Sequence, residues 1–347
     1  MHVVLVGSGV LPIPPPDWGA VERAIDGLAR SLRSLGVEVT LVNQDGGGRT
    51  WKEYPFAWSV PRRIVALEPD LVHAFTPVVG ARLAGTRRPY LYTSHSRHWN
   101  GTKGWRERLG FRLERRACAH ALRTFALSAA VAQRMASFRP APDPSRIRIV
   151  PNGIDTARFA PDWASREGNR VLGVGAIHPR KDWTLAVEVM KGLPGSRLTL
   201  VGPIQDEGYA RELRSVPGLA GRLTLTGAVD EATLARHYAT SDVLLHPSAS
   251  ELQSITVLEA LSSALPVVGT DVLSSEVESG EDGFLVPAAL PEAQKVLRWR
   301  EQLTALLSDA SYRRSLAETA RTRAVARYDW GVVGRQTLAV YRELTPA

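Results

Sequence analysis

The sequence predicts an α/β protein of two doubly wound parallel-sheet domains facing one another across a cleft. Three observations carry this. The 347 residues exceed one average core and suit two domains of about 150 residues each with a connecting segment. Short apolar runs of strand type alternate with stretches of helical spacing, the order that gives parallel sheets flanked by helices. That series halts at a polar stretch after residue 150 and starts afresh at Arg170, as expected of a linker between domains.

Residues 2 to 6, His-Val-Val-Leu-Val, read as the first strand. A Gly/Pro-rich loop follows, and apolar positions then recur at helical spacing over residues 20 to 35. Gly36 stands where a left-handed cap ends a helix, and Val37 to Val42 reads as the next strand. Leu71 to Phe75 and Tyr90 to Thr93 continue the alternation, and Arg146 to Val150 leads into Pro-Asn-Gly at 151 to 153. The expected divisions are a first domain over 1–150, a linker over 151–169 and a second domain over 170–330. The second series has strands at Val171 to Val174, Arg197 to Val201, Leu223 to Thr226, Val243 to Leu245 and Pro266 to Gly269. From Trp330 to Leu344, Val333, Thr337, Val340, Tyr341 and Leu344 fall near helical spacing, which predicts a closing helix with one apolar stripe.

Composition narrows the class. Apolar residues make up 44% and charged residues 22%, ordinary globular values. Cys118 is the only cysteine, so no intramolecular disulfide forms, and the first residues lack a basic, cleavable leader; both point to the cytoplasm. No apolar run approaches the roughly 20 residues that span a bilayer, so any membrane contact is expected to be peripheral, at the inner face. The net charge of +8 suits phosphorylated ligands or an anionic surface. Zinc-finger spacing and aromatic RNA-binding motifs are missing, so nucleic acid is not expected as a partner.

In open α/β sheets, ligands gather at the carboxyl ends of the strands, so the loops there are the places to search. Gly19 and Ala20 lack bulky side chains just as a helix starts, letting backbone N–H groups approach a phosphate or sugar. Gly7 and Gly9 hint at a dinucleotide fingerprint, but position 12 is Pro and the second strand ends at Asn43 instead of an acidic residue. In the loop 173–183, Arg180 and Lys181 can supply charge-assisted hydrogen bonds to a diphosphate. In the segment 246–261, Glu251 and Glu259 can hold sugar or ribose hydroxyls while the N–H groups of Ser254 and Ile255 face a phosphate. His95 and His98 directly follow a strand of the first half and read equally as capping or catalytic groups. No two aspartates are separated by one residue, and the His pair lacks a carboxylate or thiol beside it, so no metal site is expected.

These segments together resemble glycosyltransferase family 4 over almost the whole chain. The resemblance lies in Gly19-Ala-Val-Glu-Arg, Pro69-Asp-Leu-Val-His, Ile149-Val-Pro-Asn-Gly-Ile-Asp, Lys181, Asp242 to Ser248, Glu251 with Glu259, Pro266-Val-Val-Gly and Asp282-Gly-Phe-Leu-Val-Pro. It implies a GT-B fold of two Rossmann-like domains, with a last helix over 331–347 crossing back onto the first and the donor held mainly by the second. It implies transfer of a sugar from a nucleotide-sugar donor, a UDP-sugar for preference, with retention at the anomeric carbon and no metal or other cofactor. By the same resemblance Glu259 binds the donor ribose, Lys181 the diphosphate and Glu251 the transferred sugar. Gly19 and Ala20 meet the phosphate–sugar region, and His95 lies near the reacting face. The chain departs from the family at Ala176, where an arginine is usual, and at residues 252–254, where a Gly-rich phosphate loop is usual. Arg180 is the expected substitute for the missing arginine.

The acceptor, whether small molecule, glycan or lipid-linked, is not identified by the sequence. Its expected edge is Arg97 to Arg116, with His98 and Trp99 as contacts; that basic stretch is also the expected site of any weak membrane contact. Two other functions share the architecture: a non-catalytic sugar-nucleotide-binding partner, and a sugar phosphorylase or epimerase.

Overall fold

The computed structural model describes residues 1–15, 19–86, 88–95, 104–139, 141–166 and 168–345. The chain divides into two compact units, Met1–Gly153 with Trp330–Ala347, and Ile154–Asp329. The first contains β1 (His2–Val6), α1 (Ala20–Ser34), β2 (Glu38–Val42), α2 (Glu53–Leu67), β3 (Leu71–Ala74), α3 (Pro77–Leu83), β4 (Tyr90–Thr93), α4 (Trp105–His120), β5 (Arg123–Ala126), α5 (Ala129–Ala136) and β6 (Ile147–Ile149). The second contains β7 (Arg170–Val174), α6 (Trp183–Lys191), β8 (Arg197–Val201), α7 (Glu207–Arg214), β9 (Leu223–Leu225), α8 (Glu231–Thr240), β10 (Val243–His246), α9 (Ile255–Ser262), β11 (Val267–Thr270), β12 (Gly283–Val286), α10 (Glu292–Ser308) and α11 (Ala310–Tyr328). The chain then returns to the first unit as α12 (Trp330–Leu344).

The first sheet is six-stranded, in the order β2-β1-β3-β4-β5-β6. Its strands pair in parallel, with Val3 opposite both Val39 and Leu71. β1 is central and covered on both faces, so Val3 to Val6 are fully buried; this explains an apolar run with no polar alternation. α12 packs on α1 where both helices carry glycine. A Cβ on Gly27 would lie 2.1 Å from the Trp330 ring, and one on Gly334 would lie 2.0 Å from Ser31 Oγ. Ser31 Oγ also donates to Trp330 O at 2.6 Å. Small residues thus let a backbone and a tryptophan approach closely.

The second sheet is also six-stranded and runs β12-β11-β10-β7-β8-β9. β7 starts two series that grow in opposite directions, so β7 and β10 are neighbours that send their loops to opposite sides, the topological switch point of a doubly wound sheet. Val171 pairs with Val243 and Leu172 with Leu244 across it. Trp183 and Trp299 fill the core on one face, and Tyr238, Val257 and Leu261 fill it on the other.

The segment expected as a linker over 151–169 is divided instead. Pro151 to Gly153 stay with the first unit, and from Ile154 onwards the chain belongs to the second. Ile154 N donates to Tyr328 O at 2.6 Å, and Ile154 and Phe159 are buried in the second core. Arg321 on α11 clamps the segment by donating to the carbonyls of Thr156 at 2.8 Å, Phe159 at 3.0 Å and Ser262 at 2.6 Å. Two backbone carbonyls of the expected connector, together with that of Ser262 on α9, thus accept from one guanidinium. None of the described helices is long and apolar enough to cross a membrane.

Three helix starts in the second unit, those of α7, α8 and α11, are capped by aspartate side chains. Asp309 accepts from Tyr312 N at 2.8 Å at the head of α11. Asp309→Ala should lower stability by about 1 kcal/mol, read as a lower urea midpoint with an unchanged slope.

Candidate functional site

The loops after β7 and β10 meet at the switch point of the second sheet. β7 is followed directly by Gly175, with φ +152, and β8 by Gly202, with φ +152. A Cβ on Gly202 would lie 2.2 Å from Gly175 O, so only glycine lets these two strand ends approach. Pro179–Lys181 then form a 3-10 turn in which His178 Nδ1 accepts from Arg180 N at 3.1 Å. Asp182 follows with φ +56 and starts α6. The tight turn sends consecutive side chains to opposite sides: Lys181 turns in over the Gly175 backbone, while Arg180 is exposed. Arg180, expected as the substitute for the family arginine, is exposed on this turn, whereas Lys181 is mostly buried beside it.

Lys181 Nζ lies 2.9 Å from Glu251 Oε1, and both side chains are mostly buried. His246 Nε2 meets the same oxygen at 3.2 Å from the fully covered end of β10. Burial by itself would raise the Glu251 carboxyl, but the His246 hydrogen bond and charge, followed by Lys181, hold it well below the usual carboxylate range. Glu251 is thus an anion, and it requires the hydrogen on His246 Nε2. A lysine from one side of the switch point and a glutamate and histidine from the other form one charge cluster, 70 residues apart in sequence between Lys181 and Glu251.

Behind this cluster α9 begins at Ile255, with Ser254 as an extended cap that makes no side-chain capping bond. Ser254 N, expected to face a phosphate, donates instead to Glu276 Oε1 at 3.0 Å. Ser275 Oγ donates to Glu276 Oε2 at 2.6 Å. Burial pushes the Glu276 carboxyl up to about 7, against the opposing effect of these two hydrogen bonds. Ile255 is half-buried at the head of the helix. Glu259 is buried one turn further along and accepts from Tyr238 OH at 2.8 Å. That hydrogen bond ties its side chain to Tyr238 on α8.

In the first unit Gly19 has φ +141 and precedes Ala20, which is exposed at the head of α1. Glu22 stands beside that head: a Cβ on Gly19 would lie 2.9 Å from Glu22 Oε2, and Ser8 Oγ donates to Glu22 Oε1 at 2.5 Å. His95 follows β4; its Nε2 is buried without a hydrogen-bond partner among the described residues, and burial pushes its imidazole down to about 4. It is neutral and able to accept a hydrogen bond. His73 differs in being fully committed, with Nδ1 2.6 Å from Tyr341 OH and Nε2 2.7 Å from Thr93 Oγ1. His98 and Trp99 lie outside the described residues.

Sequence reasoning missed His246, Glu276 and Glu22 as members of these clusters. The signal available for His246 was its place as the last residue of a strand at a switch point. Glu276 gave none, because it is contributed from 22 residues beyond Ser254. Among the described residues no three His, Cys, Asp or Glu side chains form a group that could hold a metal ion.

Two doubly wound sheets, the second with a buried Lys–Glu–His cluster at its switch point, define an α/β protein of the GT-B class. The chain is a glycosyltransferase family 4-like protein. Residues 19–158 match the family model described as Glycosyltransferase Family 4, and residues 168–309 match that described as Glycosyl transferases group 1. A phosphatidyl-myo-inositol mannosyltransferase of Mycobacterium tuberculosis is 33% identical over 205 residues, covering 55% of this chain and 53% of that protein. The chain thus spans about half the length of the curated relatives it matches. Among solved structures, sucrose-phosphate synthase from Thermosynechococcus elongatus superposes with a TM-score of 0.83 at 20% identity, covering 99% of this chain and 98% of the other. Anabaena HepE in complex with UDP superposes with a TM-score of 0.79 at 18% identity, covering 99% of each chain.

Proposed function

We propose that this chain transfers a sugar from a nucleotide-diphosphate donor, a UDP-sugar, to an acceptor hydroxyl, with retention and without a metal. The observation that carries the reading is the ion pair of Lys181 and Glu251 at the switch point, where a doubly wound sheet takes its ligand. The UDP held by HepE supports the choice of nucleotide, and the acceptor named for the mycobacterial mannosyltransferase supports a polyol hydroxyl.

On donor arrival Lys181 exchanges the Glu251 carboxylate for diphosphate oxygens, and Glu251 becomes free to accept from hydroxyls of the transferred sugar. Glu259 takes the ribose, and the amides at Ser254 and Ile255 and the Gly19–Ala20 backbone serve the phosphates and sugar. His95, neutral, accepts from a sugar hydroxyl near the reacting carbon. The bond between the anomeric carbon and the diphosphate oxygen breaks, and the acceptor oxygen bonds to that carbon on the same face. The acceptor proton passes to the departing phosphate oxygen. Lys181 and the helix amides stabilise the charge that develops there, where preorganised dipoles lower a barrier most.

The test is a thermal-shift series with UDP, GDP and ADP, followed by transfer from the matching sugar nucleotide with and without EDTA. UDP should raise the melting temperature and transfer should survive the chelator. No shift with any nucleotide, or transfer lost to EDTA and restored by a divalent ion, would overturn the reading. Within it, Glu259→Ala should weaken UDP binding about tenfold, the order of one lost charged hydrogen bond. Glu251→Ala should lower turnover more than UDP affinity.

A further inference from the structure

The large apolar side chains that the described surface exposes are mostly single, with one exception. Trp51, in the 3-10 turn that leads into α2, is 61% exposed; Tyr54, Trp58 and Val65 on α2 are 43%, 69% and 55% exposed. Spaced by three, four and seven residues, they fall on one stripe of a helix that turns about 100° per residue. Pro55 and Arg62 are exposed within the same stripe. The opposite side is fixed in the first unit's core through Phe56, Ala57, Val60 and Ile64, all buried. The aromatic stripe therefore cannot roll inward, and it forms an exposed ridge.

The charges around the ridge are of one sign. Arg49, Lys52, Arg62 and Arg63 flank it, and the Arg82 guanidinium from α3 sits 4.7 Å over the Trp58 ring. Of the two acidic residues nearby, Glu53 has Oε1 buried and so is turned away, and Glu68 lies beyond the helix at its C-cap. Tryptophan and tyrosine rings with an apolar body and a polar tip, bordered by arginine and lysine, are the composition that settles at a headgroup boundary. A border of cations alone complements an anionic lipid surface.

We propose that the Trp51–Tyr54–Trp58–Val65 ridge of α2 is a docking surface for an anionic lipid bilayer, with the rings entering the headgroup layer and the flanking cations meeting lipid phosphates. This inference stands on α2 alone and does not depend on the sugar-transfer reading. It also assigns the contact to α2 and not to the basic stretch 97–116, whose described part carries the exposed Trp105 at the start of α4.

The experiment is co-sedimentation of the full chain at low salt with vesicles of phosphatidylcholine alone and of phosphatidylcholine mixed with phosphatidylglycerol. The parent should pellet with the mixed vesicles and stay in solution with the neutral ones. Trp51→Ala/Trp58→Ala should lose most of the pelleted fraction, and Arg62→Glu/Arg63→Glu should lower the partition coefficient about fivefold for each unit of charge removed. These side chains are exposed, so melting temperatures should match the parent. Equal pelleting of parent and α2 variants, or loss confined to Trp105→Ala, would overturn the assignment. So would a parent that remains in solution with both vesicles, or a vesicle-free dimer abolished by the tryptophan variants, which would make the ridge a contact between copies.

Discussion

Lys181→Ala is expected to slow sugar transfer roughly thirtyfold, the equivalent of about 2 kcal/mol for one charge-assisted contact to the departing diphosphate. Arg180→Ala, by contrast, should cost under about 0.5 kcal/mol, as for an exposed side chain without a fixed partner. The two residues are adjacent and carry the same charge, so only the 3-10 turn that buries one and exposes the other separates them. In the free protein the same Lys181→Ala change leaves Glu251 with His246 as its remaining partner, which should lower stability by about 1–3 kcal/mol near neutral pH. The sign of the pH effect follows from the depressed folded carboxyl. Its contribution is complete above the unfolded value of about 4.3 and fades as pH falls towards the folded one. Urea unfolding of parent and variant should therefore converge in acid. Equal kinetic losses in the two variants would return Arg180 to the diphosphate.

Glu276→Gln is expected to stabilise the protein in mild alkali by on the order of 3 kcal/mol. Burial raises the folded carboxyl from 4.5 to about 7, so folding favours the protonated form. Stability from this group is complete below about 4.5 and is lost as pH rises through about 7. Glutamine keeps an acceptor for Ser254 N and cannot ionise. Parent and variant should thus match near about pH 4 and differ at about pH 8. Glu53, also pushed up to about 7 by burial, should leave a residual slope in the variant. Ionised Glu276 also occupies the amide proposed for a phosphate, so UDP affinity in the parent should fall as pH rises through about 7, and the glutamine variant should resist this. A parent whose stability and affinity are flat across that range would show that Glu276 does not titrate there.

The strand–helix alternation was legible because each buried parallel strand is a continuous apolar run and each helix a 3.6-residue stripe, both local patterns. β1 and β4 lie where the sequence places them, and α1 ends within a residue of its expected limit. α2 and α4 were less readable: one contains Pro61 and exposes Trp58, and the other is rich in arginine. Neither presents a clean apolar stripe, because much of each is surface. The run from Ile154 to Ser165 read as a connector since its anchors, Arg321 and Tyr328, lie more than 150 residues later.

For the candidate site, the sequence by itself determined which loops carry it and which charged residues stand on them, since strand ends and residue types are local facts. It could not decide which of those charges meet. Tertiary structure made Lys181 and Glu251 partners, added His246 from a buried strand end, and set Glu276 on the Ser254 amide. It also sent Arg180 to solvent. The physical reason is that pairing energies depend on distance and burial in three dimensions. A parallel sheet whose order reverses at β7 brings together loops that the chain holds far apart.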